Sequence, residues 1–487
     1  MTPSSSLAGR FFLAILLMVG FYLLALAICA GLLYIPYAEL TYGHRLHIKI
    51  AIFCLGGAGI ILWSIIPRLD RFAPPGPELN QREHPKLHQT VEQIARATQQ
   101  ACPAEIYLIP DVNAWVSQRG GIMGIGSRRV MGLGLPLMQV LTVSQFSAVL
   151  AHEFGHFYGG DTALGPWIYK TRSAIGRTLQ ALSGHSSWLN KPFEWYGIAF
   201  IRITHAISRR QEYIADRLAA QVVGSRALGE GLKRVHGAGL AFSSYWTSEM
   251  APAIDKGYRP PLTQGFQQFL ASSLVSEQVD AALQMELKDK ESNPYDTHPP
   301  LSERLEALNG LQEGELLAAD PPSISLLNDV TKLEEKLFEI MIPDQSSKPR
   351  PIDWPDLPEK VWLPVWVETA RDYSSSLRGF IPAELPQCAA SKKALAARLK
   401  LDSTEEHEQK AVSITGSALC VLFHDKGWKI DAQPGAPVIL QHEELSFRPF
   451  EMVEQLNSGT LSPEGWKRIC DAAEVSEFDM GKVTNRD

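Results

Sequence analysis

The sequence predicts an α+β protein that is mostly α: an N-terminal two-helix transmembrane hairpin, a largely helical domain with a small sheet, and a small α+β C-terminal module. Three observations carry this. Residues 11 to 35 and 50 to 66 run for 25 and 17 residues without a charge, and 25 residues at about 1.5 Å each cross a hydrocarbon core of about 30 Å. Apolar residues then recur at helical spacing through three long stretches. Between and after them lie short segments with strand character, bounded by glycine and proline.

The whole-chain averages conceal the hairpin. The chain has 487 residues, 46 Lys plus Arg, 53 Asp plus Glu and a net charge of −7, with a mean hydropathy of −0.06. Only Arg10, Glu39, Arg45 and Lys49 of those charged residues fall in residues 1 to 66. The acidic balance excludes non-specific nucleic-acid binding, which needs a basic surface to displace counterions from phosphates. The length suits roughly three units at about 150 residues each. The six cysteines show no Cys-x-x-Cys spacing and read as reduced thiols.

Taking the elements in order, Pro36 and Pro67 close the two spans. A cleaved signal peptide fits less well, because its apolar core is about 7 to 15 residues behind a basic start. A lipoprotein-type Cys29 would need a small residue where Ile28 stands. Arg10, Arg68, Arg71, Arg82 and Lys86 flank the spans, against Arg45 and Lys49 in the loop. Both ends therefore face the cytoplasm by the positive-inside tendency, giving an integral protein of a bacterial-type inner membrane with its soluble domain cytoplasmic.

Pro74-Pro75-Gly76-Pro77 separates the anchor from the helical domain. Residues 78 to 101 read as helix through Leu87, Val91, Ile94 and Ala97, and Ile106 to Ile109 and Ala114 to Val116 as strands. Gly120, Gly121, Gly124 and Gly126 mark a loop, and Val130 to Leu135 pairs back. Residues 143 to 159 and 192 to 222 are helical. Between them, residues 162 to 190 carry Lys170, Arg172 and Arg177 and read as an amphipathic cover or surface helix rather than further spans. The domain boundaries are drawn at 1 to 71, 72 to 318, a Pro/Trp-containing linker at 319 to 386 with Trp354 and Trp362, and 387 to 487. That last module reads as helix, hairpin, helix, with a turn at Pro434-Gly435.

The chemistry concentrates in His152-Glu153-Phe154-Gly155-His156. Two imidazoles four residues apart share a helical face, about 5 to 6 Å between Cβ atoms, a span that one zinc ion bridges. Glu153 beside them is placed to take a proton from the attacking water. A catalytic zinc needs a third protein ligand, and Glu212-Tyr213-Ile214-Ala215-Asp216 offers one: Glu212 can reach the metal while Asp216 on the same face accepts a hydrogen bond from a ligating histidine. Glu-x-x-x-Asp by itself is usually a solvated face, and it gains weight here from an apolar helix downstream of the His pair, flanked by Arg209 and Arg210. His298, fixed by Pro299 and near Arg304, reads equally as a donor to a developing oxyanion or as part of a capped helix start.

These residues resemble the HtpX-like and CAAX-prenyl-protease-type membrane zinc endopeptidases. The likeness runs from Glu83-His84-Pro85 and Asn113-Ala114-Trp115 through Leu150 to His156 with Gly160-Asp161, Ser208 to Asp216, and Thr297-His298-Pro299 with Arg304. The resemblance implies a zincin-like (gluzincin) domain with one Zn2+ on His152, His156 and Glu212, and Glu153 as base. It also implies His298 near the reacting carbonyl, and Asn113, Ala114 and Arg304 on the substrate. Relatives commonly carry extra spans between the second His and the Glu, where residues 162 to 190 here are charged; residues 320 to 487 have no assignable counterpart.

The expected function is hydrolysis of protein or peptide substrates at a lipid bilayer, in quality control or processing. A catalytically silent scaffold is the rival, and four intact site residues argue against it. An exopeptidase would need an acidic anchor for the substrate amine, and no Gly-x-Met-Glu-Asn-like stretch is present.

Overall fold

A computed structural model gives the architecture and describes residues 4–66, 72–120, 126–157, 165–183, 187–288, 298–314, 319–342, 348–388, 391–402 and 404–483. Arg68 and Arg71, Gly121 and Gly124, Gly160-Asp161, and Tyr295 to Thr297 lie outside them. The chain divides into two units, one of residues 1–239 and 281–341, the other of residues 240–280 and 342–487.

The first unit opens with α1 Ser4–Tyr42 and α2 Ile48–Ile65, both long and apolar enough to span a bilayer. Pro36 stands inside α1 instead of closing it, as prolines do in membrane helices whose freed carbonyls find other partners. Residues 165 to 222 depart from a simple surface cover. Helix α6 Gly165–Leu182 and the first half of α7 Ser187–Val222 share one core with the hairpin: Phe21, Cys29, Cys54, Ala58 and Ile61 meet Ala174, Ile175, Leu182, Leu189, Phe193 and Phe200. The charges of α6 do not prevent this, because its buried stripe, Thr171, Ala174, Ile175, Thr178 and Leu182, carries no charge while Arg172 is exposed.

Hydrophobic transfer cannot hold helices together in lipid, so close packing and interhelical hydrogen bonds must. Gly57 leaves room for Leu32 and Leu189. Ser64 Oγ bonds Thr178 Oγ1 at 2.7 Å, Arg177 Nε donates to Ser64 O at 3.1 Å, and Tyr196 OH to Leu17 O at 2.6 Å.

After the hairpin come α3 Pro85–Ala97, β1 Glu105–Ile109, β2 Ala114–Arg119, β3 Arg128–Gly134, α4 Leu135–Val140 and α5 Val143–Gly155. The sheet order is β1-β3-β2, with β3 parallel to β1 and antiparallel to β2. Residues 77 to 79 cover the outer edge of β1 through Leu79 N to Ile106 O and Leu108 N to Pro77 O, which leaves β2 as the other edge. Beyond α7 lie α8 Ser225–Tyr245, α9 Ala251–Asp255, α10 Leu262–Ala271, α11 Ser273–Lys288, α12 Leu301–Leu308 and α13 Val330–Met341, of which α9, α10 and the first half of α11 belong to the second unit. Residues 320 to 328 stitch onto the sheet-and-helix layer. Thr142 bridges Pro322, Ser323 Oγ donates to Met138 O, and Asn328 N donates to Nδ1 of the buried His84.

The second unit has as its centre a helix, Glu405–Asp425, with Ala411 to Phe423 almost wholly buried. Around it pack Trp366, Phe380, Leu395, Trp428, Phe447 and Trp466. A three-stranded antiparallel sheet, Lys429–Asp431, Ile439–His442 and Leu445–Phe447, extends the expected hairpin by one strand. Trp354, in the Pro-rich stretch read as a linker, is buried with Nε1 donating to Pro261 O at 3.0 Å.

Candidate active site

Helix α5 is set by its first turn. Thr142 caps it, accepting from Gln145 N while Gln145 Oε1 accepts from Thr142 N, a reciprocal arrangement that satisfies two orphan donors. Asp320 Oδ1 takes a third, Ser144 N, at 2.9 Å, with its negative charge at the positive end of the helix. At the other end of α5, His152, Glu153 and His156 offer ligand atoms that all lie within 4.8 Å of one another.

Helix α7 packs against α5 and brings the acidic pair. Glu212 Oε2 lies 3.4 Å from His152 Nε2, and Glu212 Oε1 lies 3.7 Å from His156 Nε2. Three donors of the kind a metal takes thus converge on one point, with Glu153 beside them. Glu212 Oε2 is buried and accepts no hydrogen bond, with Arg304 Nη2 3.6 Å away, and a buried acceptor without a hydrogen bond costs free energy that a closer positive partner offsets. The residues therefore fit a divalent cation, and His152, His156 and Glu212 are the groups that would hold it.

Behind this set, His152 Nδ1 stands 2.9 Å from Asp216 Oδ1, which keeps Nε2 turned toward Glu212. Arg304 grips Asp216 by two bonds, Nε to Oδ2 at 2.9 Å and Nη2 to Oδ1 at 2.7 Å. His298 lies at the outer side, its side chain 63% exposed and Nδ1 2.9 Å from Glu212 Oε1. The expected partners Asn113 and Ala114 stand at the start of the edge strand: Asn113 is exposed and accepts from Gly134 N, and Ala114 is buried opposite Leu133. Strand β2 packs against α5.

Burial governs the proton affinities. It pushes the Glu153 carboxyl up to about 7 and His156 down to about 4. Burial also pulls His152 down, but Asp216 and Glu212 outweigh it and lift the group to about 9. For Glu212 and Asp216 burial works toward the neutral acid, and their cationic partners win, holding both below the usual carboxylate range.

Two features were not legible beforehand. Tyr213 OH donates to Glu303 Oε2 at 2.7 Å, pinning α12 to α7. Arg304, expected at the substrate, is 5% exposed and turned inward; the sequence signal for this was the surplus of negative charge at Glu212 and Asp216, which buried carboxylates must have answered.

Residues 81–312 match the model of Peptidase family M48. Over this segment the chain is similar to the M48 peptidases. Two similar proteins carry the same message at low identity. The "Protease HtpX homolog" of Archaeoglobus fulgidus is 23% identical over 241 residues, 47% of this chain and 68% of that protein. The "Protease HtpX" of Idiomarina loihiensis is 24% identical over 280 residues, 53% of this chain and 84% of that protein. No solved structure matches the chain. The chain is a membrane metalloendopeptidase, and the M48 domain implies a metal, peptide or protein substrates, and the converging donors of α5 and α7 as the place to look for both.

Proposed function

We propose that this protein is a membrane-anchored zinc endopeptidase acting in membrane-protein quality control or processing, with its M48 domain on the cytoplasmic side of a bacterial-type inner membrane. The observation that carries the reading is the convergence of His152, His156 and Glu212, with Glu212 Oε2 buried and accepting no hydrogen bond. Two imidazoles and one carboxylate are a ligand set of the kind that catalytic zinc takes. When bound, the ion supplies Lewis acidity, activating water and polarising the scissile carbonyl.

The chain's own groups do the rest. Glu153, raised toward neutrality by burial, takes the proton of the attacking water and passes it to the leaving amine, which a base with an affinity near the working pH does best. His298 keeps Nδ1 on Glu212, leaving its other nitrogen outward to meet the oxyanion. Substrate lies extended along the edge of β2 from Asn113 and Ala114, adding a strand to the sheet.

Glu153→Gln tests this. The variant is expected to bind zinc as the parent does and lose cleavage of an end-blocked peptide by about 100-fold or more, whereas His152→Ala loses both. Undiminished cleavage by Glu153→Gln removes the assignment. The same variant, held in its own membrane, captures uncleaved substrates and so decides between quality control and a dedicated target. A reporter fused after Lys86 that is active only outside the cell would reverse the orientation.

A further inference from the structure

The site holds more buried negative charge than a ligand set requires. Glu212 and Asp216 stand one turn apart on α7 at 4% and 1% exposure, and Glu153 faces the same space. A carboxylate buried without a counter-charge is strongly destabilising. Among the described residues, the guanidinium that answers this pair is Arg304, itself 5% exposed. Its Nε and Nη2 take both oxygens of Asp216, and Nη2 also lies 3.6 Å from Glu212 Oε2. Asp216 Oδ1 is therefore shared between Arg304 Nη2 at 2.7 Å and His152 Nδ1 at 2.9 Å.

Buried and engaged in this way, Arg304 presents no open face to a peptide. We propose that Arg304 is a positioning residue: its two bonds hold the Asp216 carboxylate in one orientation, so that Asp216 holds His152 with Nε2 toward the ligand point. A dication together with the arginine then balances Glu153, Glu212 and Asp216. Only a planar fork fits both oxygens at once; a lysine offers a single point charge. The seat of the arginine is fixed by its neighbour, since Glu303 accepts from Tyr213 OH at 2.7 Å. Two consecutive residues of α12 thus grip two residues of α7 three apart.

The inference rests on the zinc-site reading above. Its test is zinc affinity, by competition with a chromophoric chelator on the full-length detergent-solubilised protein, together with kcat and KM on a blocked peptide. Arg304→Gln is expected to weaken zinc about 10- to 100-fold and to lower kcat at subsaturating zinc, with KM unchanged. Arg304→Lys recovers little. The double variant Arg304→Gln/Asp216→Asn, which leaves no uncompensated carboxylate, binds zinc more tightly than Arg304→Gln alone and is better folded if the single variant fails to fold. Parent-like zinc affinity with a raised KM in Arg304→Gln returns the residue to the substrate and overturns the proposal, as does a double variant no better than the single one. A parent protein that binds no zinc overturns the site reading along with it; a parent that binds while Arg304→Gln is unchanged overturns this inference alone.

Discussion

Gly155 stands between the two histidines of the site and faces α7 so closely that a methyl group there would meet Ala215 Cα at 2.7 Å and its Cβ at 2.9 Å. Neither neighbour is a flexible side-chain end; one is backbone. Gly155→Ala must therefore push α5 and α7 apart, and the distances it disturbs are those that make the site, His152 to Asp216 and the imidazoles to Glu212. Overpacking of this kind costs about 1 to 3 kcal/mol. The expected result is a lower midpoint of thermal unfolding and weaker zinc binding, measured together on the purified protein. Adding Ala215→Gly takes away the methyl group of residue 215 but leaves its backbone in the way, so it should return part of the loss and not all. The residue scale is also where the sequence spoke most clearly. The spacing of His152 and His156 and the face shared by Glu212 and Asp216 could be read from the chain, because both are properties of a single helix. The need for glycine at 155 could not, since its cause is sixty positions away.

Elements were legible where one face is wet. α3 shows a periodic apolar pattern because Leu87, Val91, Ile94 and Ala95 are buried while the opposite face meets solvent; β1 and β3, buried at nearly every position, were legible instead as short apolar runs. The helix Glu405–Asp425 lacks that contrast, with burial running almost unbroken from Ala411 to Phe423, and no period marks a helix apolar all round. The turn at Pro434-Gly435 was visible as a turn, but its docking was not. Gly435 has φ +70°, and an added Cβ would lie 2.8 Å from both Phe269 and Val275; Ser272 Oγ donates to its carbonyl and its N–H donates to Glu249 Oε1 at 3.1 Å. Burial raises the Glu249 carboxyl above its ordinary value, opposed by that backbone hydrogen bond. A raised folded-state value means that stability from this group is fully present below about pH 4.3, the unfolded value, and is lost as pH rises through the folded one. Glu249→Gln keeps an acceptor for Gly435 and removes the charge. It is expected to raise the unfolding midpoint at pH 7 relative to the parent, with a smaller gain at pH 4; an equal shift at both pH values would show that ionisation of Glu249 costs the fold nothing.

On the scale of the whole molecule, the path of the chain matters more than any boundary read from composition. The second unit takes residues 240–280 as well as 342–487, so a stretch inside the matched M48 segment completes its core with residues much later in the chain. The ring of Trp354 fills the space beside Gly265 and packs near Tyr245, and Phe269 and Val275 close over Gly435. These pairings span about 85 to 170 positions of sequence, which is why no local pattern announced them and why the tail read as a separable module. Truncation after Met341 should therefore do more than remove a tail. It strips Trp354 and Gly435 from the 240–280 stretch, leaving Tyr245, Phe266 and Phe269 without part of their cover, and loss of buried aromatic packing costs about 3 to 5 kcal/mol per large side chain. Limited proteolysis with the cleavage sites mapped by mass spectrometry is expected to find new cuts within residues 240 to 280 of the truncated chain and none there in the parent. A truncated chain as resistant as the parent across that stretch would mean that residues 240–280 hold their fold without the C-terminal residues, and that the tail is separable after all.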